Sequence, residues 1–316
     1  MRYAAAGVFL LAGCMLTWTA GAAQAQEARA VFGLKSGGVP IVERPAPGDV
    51  RLAYPQAGEW LDAYEETGMT FLEYVSSDPL RPSPERRTIY LVCLEGFEDF
   101  QTAREVRRFL AAFFSLPVRL VTGPRPPAAA YDPERRRYDG DEILFALNRH
   151  MPDDALLCAA LTDKDMFSGR LSAVFGLAYR DLRACVVSTA RAWGDPSQAR
   201  SDDERLRLDK LVAHEVCHVF GLAHSAGYRC LMNGTMSLSD VDRAPVYLCG
   251  PARRQLQYSI GFDPGLRDRR IVQALRTLDH APEARVFATR RVRADRVAAR
   301  PTRADDLLAA RRSPRW

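Results

Sequence analysis

The amino-acid sequence predicts a mixed α/β (α+β) fold built on a twisted, mostly parallel sheet. Between residues 88 and 188, short apolar or β-branched runs alternate with segments of helical hydrophobic period, an order typical of strands joined by crossover helices. Two further helical patterns, at 251–260 and 266–278, predict a small helical C-terminal subdomain. Hydrophobic residues make up 47% of the 316 residues and charged residues 26%, so the composition excludes a wholly disordered or collagen-like chain.

The first 25 residues have the features of a secretory signal peptide. Arg2 precedes an apolar run over 3–20, and the small residues around Gln24 predict cleavage before Gln26. An uncleaved membrane anchor is one alternative; a lipoprotein modified at Cys14 is another, because Leu-Ala-Gly-Cys over 11–14 resembles the box that precedes a lipid-modified cysteine. Since no later run reaches about 18 apolar residues, we expect an exported, periplasmic or secreted protein with no transmembrane span after signal removal.

Residues 26–87 predict an N-terminal extension that packs on the main domain, because they are rich in proline and glycine around one aromatic and apolar island at 60–74. The main domain begins with a β-branched, apolar strand at 88–94. An amphipathic helix follows, since apolar residues recur at helical spacing from Val106 to Phe114 and Pro117 prevents its continuation. The remaining predicted elements are strands at 117–121, 155–161, 171–178 and 183–188, a loop at 123–137 and a short helix at 143–147.

The next helix has a clear beginning and end. Ser201 and Glu204 form a capping box at its start, and Gly221 is placed to terminate it. Residues 232–246 predict a loop. From 281 to 316 the composition changes to arginine, alanine and aspartate, which predicts a flexible or weakly helical, Arg-rich C-terminal tail.

The helix after Ser201 contains the residues that carry chemistry. His214 and His218 are four positions apart on one helical face, so both imidazoles can reach one metal ion. Gly221 lets the chain turn back, and His224 can then supply a third nitrogen. Three protein ligands leave the fourth position of a zinc ion to water, which is typical of catalytic rather than structural zinc. Such a zinc-bound water, activated by Glu215 as general base, would hydrolyse peptide bonds. The alternatives are a histidine-bearing core helix and a non-catalytic zinc site.

The chain resembles a known family beyond these histidines. The segment from His214 to His224, followed by Met232, is similar to the metzincin pattern of an extended zinc motif and a Met-turn. Within the metzincins it most resembles the archaemetzincins, through Cys230-Leu231-Met232, Cys249 and the segment 238–243. The resemblance covers roughly 58–262. It implies a metzincin-like zinc metallopeptidase domain, here expected over 88–280, in which Met232 is the Met-turn residue.

Two departures from the family pattern concern its structural zinc site. Ser225 and Ala252 stand where the family has its first and last zinc-binding cysteines, and only Cys230 and Cys249 remain. Two thiolates do not close a tetrahedral site, so we expect one catalytic zinc ion and no second, structural one. In an exported protein Cys230 and Cys249 could form a disulfide instead; two free buried thiols are the alternative.

The resemblance also indicates where a substrate would bind. The segment 173–178 is similar to the metzincin edge strand, so Val174, Phe175, Gly176 and Leu177 would hold an extended peptide by main-chain hydrogen bonds; an ordinary sheet edge is the alternative. We therefore expect a peptide or protein substrate. Residues 281–316 carry ten arginines against four acidic residues, which leaves the rest of the mature chain close to neutral and argues against nucleic acid as the main ligand. The competing function is a catalytically weak or inactive zinc-fold peptide-binding protein of the cell envelope.

Overall fold

The computed structural model describes residues 8–10, 43, 45–53, 59–64, 66–169, 171–193 and 200–298, and it describes side chains for all of these except 8–10 and 291–298. The predicted cleavage site before Gln26 and residues 299–316 of the predicted tail lie outside this part of the chain. The strands are β1 Val8–Leu10, β2 Thr88–Cys93, β3 Val118–Thr122, β4 Tyr131–Asp132, β5 Arg137–Asp139, β6 Ala155–Thr162, β7 Met166–Ser168, β8 Leu171–Val174, β9 Gly176–Tyr179 and β10 Ala184–Ser188.

The helices enclose these strands and extend beyond them at the C-terminal end. Within the described residues, none is both long and apolar enough to cross a membrane. The α-helices are α1 Trp60–Ala63, α2 Phe71–Ser76, α3 Phe100–Phe114, α4 Gly140–Arg149, α5 Asp202–Val219, α6 Leu238–Arg243, α7 Gly250–Ile260, α8 Pro264–Thr277 and α9 Ala281–Ala298.

The main sheet is mixed and mostly parallel in its centre, as the sequence predicts. Its strand order is β1-β9-β10-β6-β2-β3; β10, β6, β2 and β3 run parallel, and β9 and β1 are antiparallel to their inner neighbours. The side chains of β2 alternate between two apolar cores. Ile89 and Leu91 join the core that contains α3 and α5, whereas Tyr90 and Val92 join the core that contains α4. Both faces are therefore covered, which explains why this strand is an uninterrupted apolar run.

The capped helix predicted from Ser201 is confirmed as α5. The side chain of Ser201 accepts a hydrogen bond from the Glu204 amide, and the Glu204 carboxylate accepts one from the Ser201 amide. At the other end Phe220 caps the helix and Gly221 has a φ of +91°, a conformation that glycine adopts with little strain. Both ends of α5 are therefore fixed by local contacts. Its C-terminal half is buried and packs against the main sheet.

The predicted strand at 171–178 is wrong as a single element. It divides at Phe175 into β8 and β9, which belong to different sheets. β8 pairs with β7 in a smaller sheet of order β4-β5-β7-β8, and β9 pairs with β10. Both pieces are apolar, so the pattern gives no sign of the bend between them. The predicted loop at 123–137 also contains part of this second sheet, as a short 3-10 helix at Ala128–Ala130 and the β4–β5 pair.

Two predictions about the C-terminal third need correction. The predicted loop at 232–246 contains α6, which begins with its own capping box between Ser237 and Asp240. The tail predicted from 281 to be flexible or weakly helical forms the packed helix α9 up to Ala298, because Ala284 and Phe287 are buried in the main core. Arg290 of α9 also binds Asp49 at 2.7 Å. The helical C-terminal subdomain is therefore larger than the sequence predicts.

Arg267 in α8 provides a test of how this subdomain is held. The side chain is almost fully buried, its Nε donates to the carbonyl of Phe113 in α3 at 2.6 Å, and its guanidinium lies 4.4 Å from the Phe113 ring centroid. We expect Arg267→Ala to lower the free energy of unfolding by about 3 kcal/mol, the size of effect seen when a buried, hydrogen-bonded side chain is removed. Urea unfolding measures this. Exposed Arg269 in the same helix is the control, and Arg269→Ala should change stability by less than about 0.5 kcal/mol; equal effects of the two variants would contradict the prediction.

Candidate metal centre

Helix α5 places two imidazoles together because His214 and His218 are one turn apart. Both side chains are buried. Nδ1 of His214 donates a hydrogen bond to the carbonyl of Leu231 at 2.8 Å, and Nδ1 of His218 donates one to the carbonyl of Leu222 at 2.7 Å. These bonds orient the two Nε2 atoms toward each other, at a separation of 2.9 Å. Each ring therefore has one nitrogen held by the backbone and the other directed into the same space.

The turn after α5 brings the third predicted ligand back to this space. The Gly221 amide bonds to the His218 carbonyl at 2.8 Å, and the Leu222 amide bonds to the Cys217 carbonyl at 3.1 Å. His224 then lies with its ring centroid 5.3 Å from that of His214 and 4.9 Å from that of His218. One nitrogen from each of the three rings falls within a cluster whose members are all within 4.8 Å of one another.

The chemistry of this cluster fits a zinc ion. Nε2 of His224 is buried and has no hydrogen-bond partner among the described residues, which is costly for a polar atom unless a metal ion or water occupies the space beside it. Burial lowers the pKa of His214 to about 3 and that of His218 well below its usual value. These two imidazoles are therefore neutral, the form that binds a metal ion. Three histidine ligands that leave the fourth position to water are typical of catalytic zinc.

Glu215 lies beside the cluster, against the edge of the main sheet. Its side chain is fully buried, and neither carboxylate oxygen has a hydrogen-bond partner among the described residues. Burial raises the pKa of this carboxyl well above its usual value, and a cation held by the three imidazoles would oppose that effect. A Cβ atom on Gly176, at the start of β9, would lie only 2.6 Å from Glu215 Oε1 and 2.7 Å from its Cγ. Glu215 thus occupies space that only a glycine in β9 leaves open.

The predicted edge-strand residues are divided by the bend described above. Val174 ends β8 in the smaller sheet, whereas Gly176 and Leu177 begin β9. Phe175 stays attached to the main sheet, because its carbonyl accepts a hydrogen bond from the Ser188 amide at 2.8 Å. The outer side of β9 pairs antiparallel with β1, from Val8 opposite Tyr179 to Leu10 opposite Leu177. Only part of the predicted segment therefore forms the edge beside Glu215.

Met232 lies in a tight, buried turn next to the histidines. Its side chain is fully buried, and its carbonyl accepts a hydrogen bond from the Ser225 amide at 2.6 Å. The preceding carbonyl, of Leu231, is the one that holds His214. The side chain of Asn233 closes the turn, since its Oδ1 accepts from the Cys230 amide and its Nδ2 donates to the Ser225 carbonyl, both at 2.8 Å. The Met232 turn is thus joined directly to one predicted ligand.

The disulfide proposed between Cys230 and Cys249 is not formed in this structure, where both residues are buried thiols. The Cys249 amide donates to Cys230 Sγ at 3.1 Å, and Ser225 Oγ lies 3.5 Å from Cys249 Sγ. The bridge is not needed to close the loop, because Asn233 already does so. Ser225 and Ala252 contribute no thiolate, and the three histidines are the cluster of potential metal ligands found among the described residues.

Two residues of the N-terminal segment reach the metal centre and were not predicted. Nδ1 of His224 lies 2.9 Å from Glu66 Oε2 and 3.1 Å from Oε1. Trp60 packs edge-on against the same imidazole, with ring centroids 4.9 Å apart. No spacing rule connects Glu66 to a histidine 158 positions away. The aromatic island at 60–74 predicts only that this segment packs on the main domain.

Comparison with known proteins gives consistent matches. The model of Peptidase family M54 matches residues 115–258. The archaemetzincin of Halobacterium salinarum is 36% identical to this chain over 158 residues, which are 48% of this chain and 89% of that protein. Archaemetzincin-2 of Homo sapiens is 26% identical over 247 residues, 65% of this chain and 68% of that protein. The crystal structure of archaemetzincin from Methanopyrus kandleri has a TM-score of 0.49 and 27% identity, over 56% of this chain and 97% of that one.

The contact between Gly176 and Glu215 can be tested by adding one methyl group. In Gly176→Ala the new Cβ would overlap the Glu215 side chain, which is buried and has little room to move. We expect at least a tenfold fall in any peptide hydrolysis that needs Glu215, with the zinc content unchanged because no histidine is displaced. Zinc is measured by elemental analysis and cleavage with a peptide library. Gly265→Ala is the control, since its added Cβ would meet only ordinary contacts of 3.5 Å or more. Equal activity of the two variants would show that Glu215 is not confined by β9.

Proposed function

The chain belongs to the archaemetzincin family of zinc-dependent metallopeptidases, and on that premise we propose that it hydrolyses peptide bonds at the centre formed by His214, His218 and His224, with Glu215 as the general base. The observation that carries the proposal is a buried cluster of three converging imidazoles, with the neighbouring carboxylate of Glu215 buried and without a hydrogen-bond partner among the described residues. A structural site would have no use for that carboxylate. In a hydrolytic site it is the proton acceptor that the reaction needs.

The three histidines would hold the metal through nitrogens of neutral rings. We expect one ion, because the remnant of the family's second site has only two thiols. Ser225 and Ala252 stand at the other two ligand positions and supply no thiolate. When bound, zinc supplies a Lewis acid that lowers the pKa of a water ligand to about 7 and polarises a carbonyl oxygen. The backbone carbonyls of Leu222 and Leu231 keep two of the rings aimed at that position.

Glu215 performs the proton transfers in this proposal. Its carboxylate takes a proton from the attacking water and can then deliver that proton to the departing amine. The absence of any hydrogen-bond partner for its oxygens among the described residues leaves them available for water. The surrounding core excludes bulk solvent, so a positive charge nearby acts strongly on this carboxylate.

The edge of β9 is the proposed site for the substrate backbone. An extended peptide added to this edge would form main-chain hydrogen bonds and lie beside Glu215, which contacts Gly176 at the start of the strand. The pairing of β1 with Leu177–Tyr179 supports this proposal, because it shows that the edge accepts an antiparallel strand. β1 belongs to the segment predicted to be the signal peptide, so cleavage before Gln26 would leave the edge free for substrate.

The role of Glu215 is tested by Glu215→Gln, which keeps the shape of the side chain and removes the base. We expect zinc content to be unchanged and the hydrolysis of a mixed peptide library to fall by about 10²–10⁴-fold, the usual contribution of a general base. Mass spectrometry of the products measures cleavage. Equal cleavage by both proteins would remove Glu215 from the mechanism. Zinc-loaded wild-type protein that binds peptides without cleaving them would instead favour the peptide-binding function.

We also propose that the protein is exported and that residues 1–25 are removed. The sequence features of the signal support this, and so does the position of β1, which is the outermost strand of the sheet. Its removal leaves the pairings of the other five strands intact. The proposed location is the periplasm or the medium, with a lipid anchor at Cys14 as the less favoured form.

Export is tested by expressing the full chain in a Gram-negative host and sequencing the N-terminus of the protein in each cell fraction. We expect the periplasmic protein to begin at Gln26 because the residues around Gln24 fit signal peptidase. A membrane-bound protein beginning at a lipidated Cys14 would identify a lipoprotein. Protein retained in the cytoplasm with an intact N-terminus would contradict export.

A further inference from the structure

We propose that Glu66 is a positioning residue of the metal centre, which fixes the ring of His224 and makes the described part of the N-terminal segment (43, 45–53, 59–64 and 66–68) a functional part of the zinc site. The inference rests on the assignment of His224 as a ligand. It gives the N-terminal segment a chemical role, whereas the sequence predicts only that this segment packs on the main domain.

The contact itself is close and directed. Both oxygens of Glu66 are within 3.1 Å of His224 Nδ1, and the nearer is at 2.9 Å. The imidazole is buried, whereas the carboxylate is about one-third exposed. A carboxylate only accepts hydrogen bonds when ionised, so in the form of the ring that binds a metal ion this contact places the one ring proton on Nδ1. The unpartnered Nε2 is then the atom that carries the lone pair.

His224 differs in this respect from the other two histidines. His214 and His218 are held by backbone carbonyls of the same stretch of chain, at Leu231 and Leu222. Among the residues that the structure describes, the only hydrogen-bond partner of the His224 ring is the side chain of Glu66, from a different part of the sequence. A carboxylate also makes the ring more electron-rich than a carbonyl does, which strengthens the bond from Nε2 to a metal ion. His224 should therefore depend on Glu66 more than the other rings depend on any one side chain.

The N-terminal segment is anchored so that Glu66 stays in place. Residues 50–52 pair with 227–229, through an Arg229 amide bond to the Val50 carbonyl at 2.8 Å and a Leu52 amide bond to the Gly227 carbonyl at 3.2 Å. The Tyr228 hydroxyl donates to the Glu43 carbonyl at 2.9 Å. These contacts attach the segment to the loop that follows His224.

Trp60 fixes the second side of the ring. It packs edge-on against His224, and its indole lies so close to Gly234 that any Cβ at that position would overlap it. The turn after Met232 is therefore shaped to admit a side chain from the N-terminal segment. Glu66 and Trp60 together hold the imidazole by one hydrogen bond and one ring contact.

The test measures zinc affinity in full-length protein by competition with a chelator, for wild type, Glu66→Ala, Glu66→Gln, Thr67→Ala and His224→Ala. We expect Glu66→Ala to weaken zinc binding by about 10–100-fold, the effect of removing a carboxylate partner of a metal-bound histidine. The zinc affinity of Glu66→Gln should lie between those of Glu66→Ala and wild type, because the amide oxygen can still accept a hydrogen bond from Nδ1. The visible spectrum of the cobalt(II)-substituted protein should change in the same order.

Two controls separate this role from a merely structural one. Thr67 is exposed next to Glu66 and its hydroxyl donates to the Gly68 carbonyl, so Thr67→Ala should keep wild-type affinity within about twofold. The melting temperature of the metal-free Glu66 variants should match that of metal-free wild type. Wild-type zinc affinity in Glu66→Ala, combined with a large loss in His224→Ala, would overturn the role of Glu66 alone. Wild-type affinity in His224→Ala would overturn the ligand assignment on which it rests. A loss of affinity that Thr67→Ala shares would also overturn the proposal.

Discussion

The structure depends on one constraint: each imidazole of the metal centre must have its Nδ1 held so that the other nitrogen points into a common space. A buried neutral histidine satisfies this only if an acceptor lies at the right place. Leu222 supplies a carbonyl from the turn that follows α5 and Leu231 supplies one from the turn around Met232, and Glu66 supplies a carboxylate from the N-terminal segment. The turn at Gly221 and the turn around Met232 are placed to make this possible. The rest of the fold holds these three acceptors relative to one helix.

Three of the buried polar atoms that have no hydrogen-bond partner among the described residues lie at this centre. They are the two carboxylate oxygens of Glu215 and Nε2 of His224, although a buried polar atom normally has a partner. Such groups cost stability unless something fills the space between them. The apolar cores on both faces of the sheet stabilise the arrangement. They also leave little freedom for Glu215, which is confined by the backbone at Gly176.

The loop after His224 is held by local contacts. The chain lacks two of the four cysteines of the family motif there, because Ser225 and Ala252 take their positions. Asn233 closes the turn through hydrogen bonds to Cys230 and Ser225. Residues 50–52 add a short strand to the other side of the loop, and α6 caps itself between Ser237 and Asp240. Several weak local contacts therefore hold this loop. They attach the N-terminal segment to it, so this segment contributes to the stability of the loop.

The sequence by itself determined what depends on local spacing. The capped helix from Ser201, the stop at Gly221 and the pairing of His214 with His218 follow from helical period and end chemistry, and the apolar run at 88–94 is enough to predict a strand. The division of 171–178 between two sheets is not readable in this way, because both halves are apolar and only their partners, β7 and β10, differ. The helix at 281–298 depends on Ala284 and Phe287 finding a core far away in sequence. The contact between Glu66 and His224 was decided only by the tertiary structure. It joins residues 158 positions apart, so it follows from how the chain packs and produces no periodic pattern in the sequence.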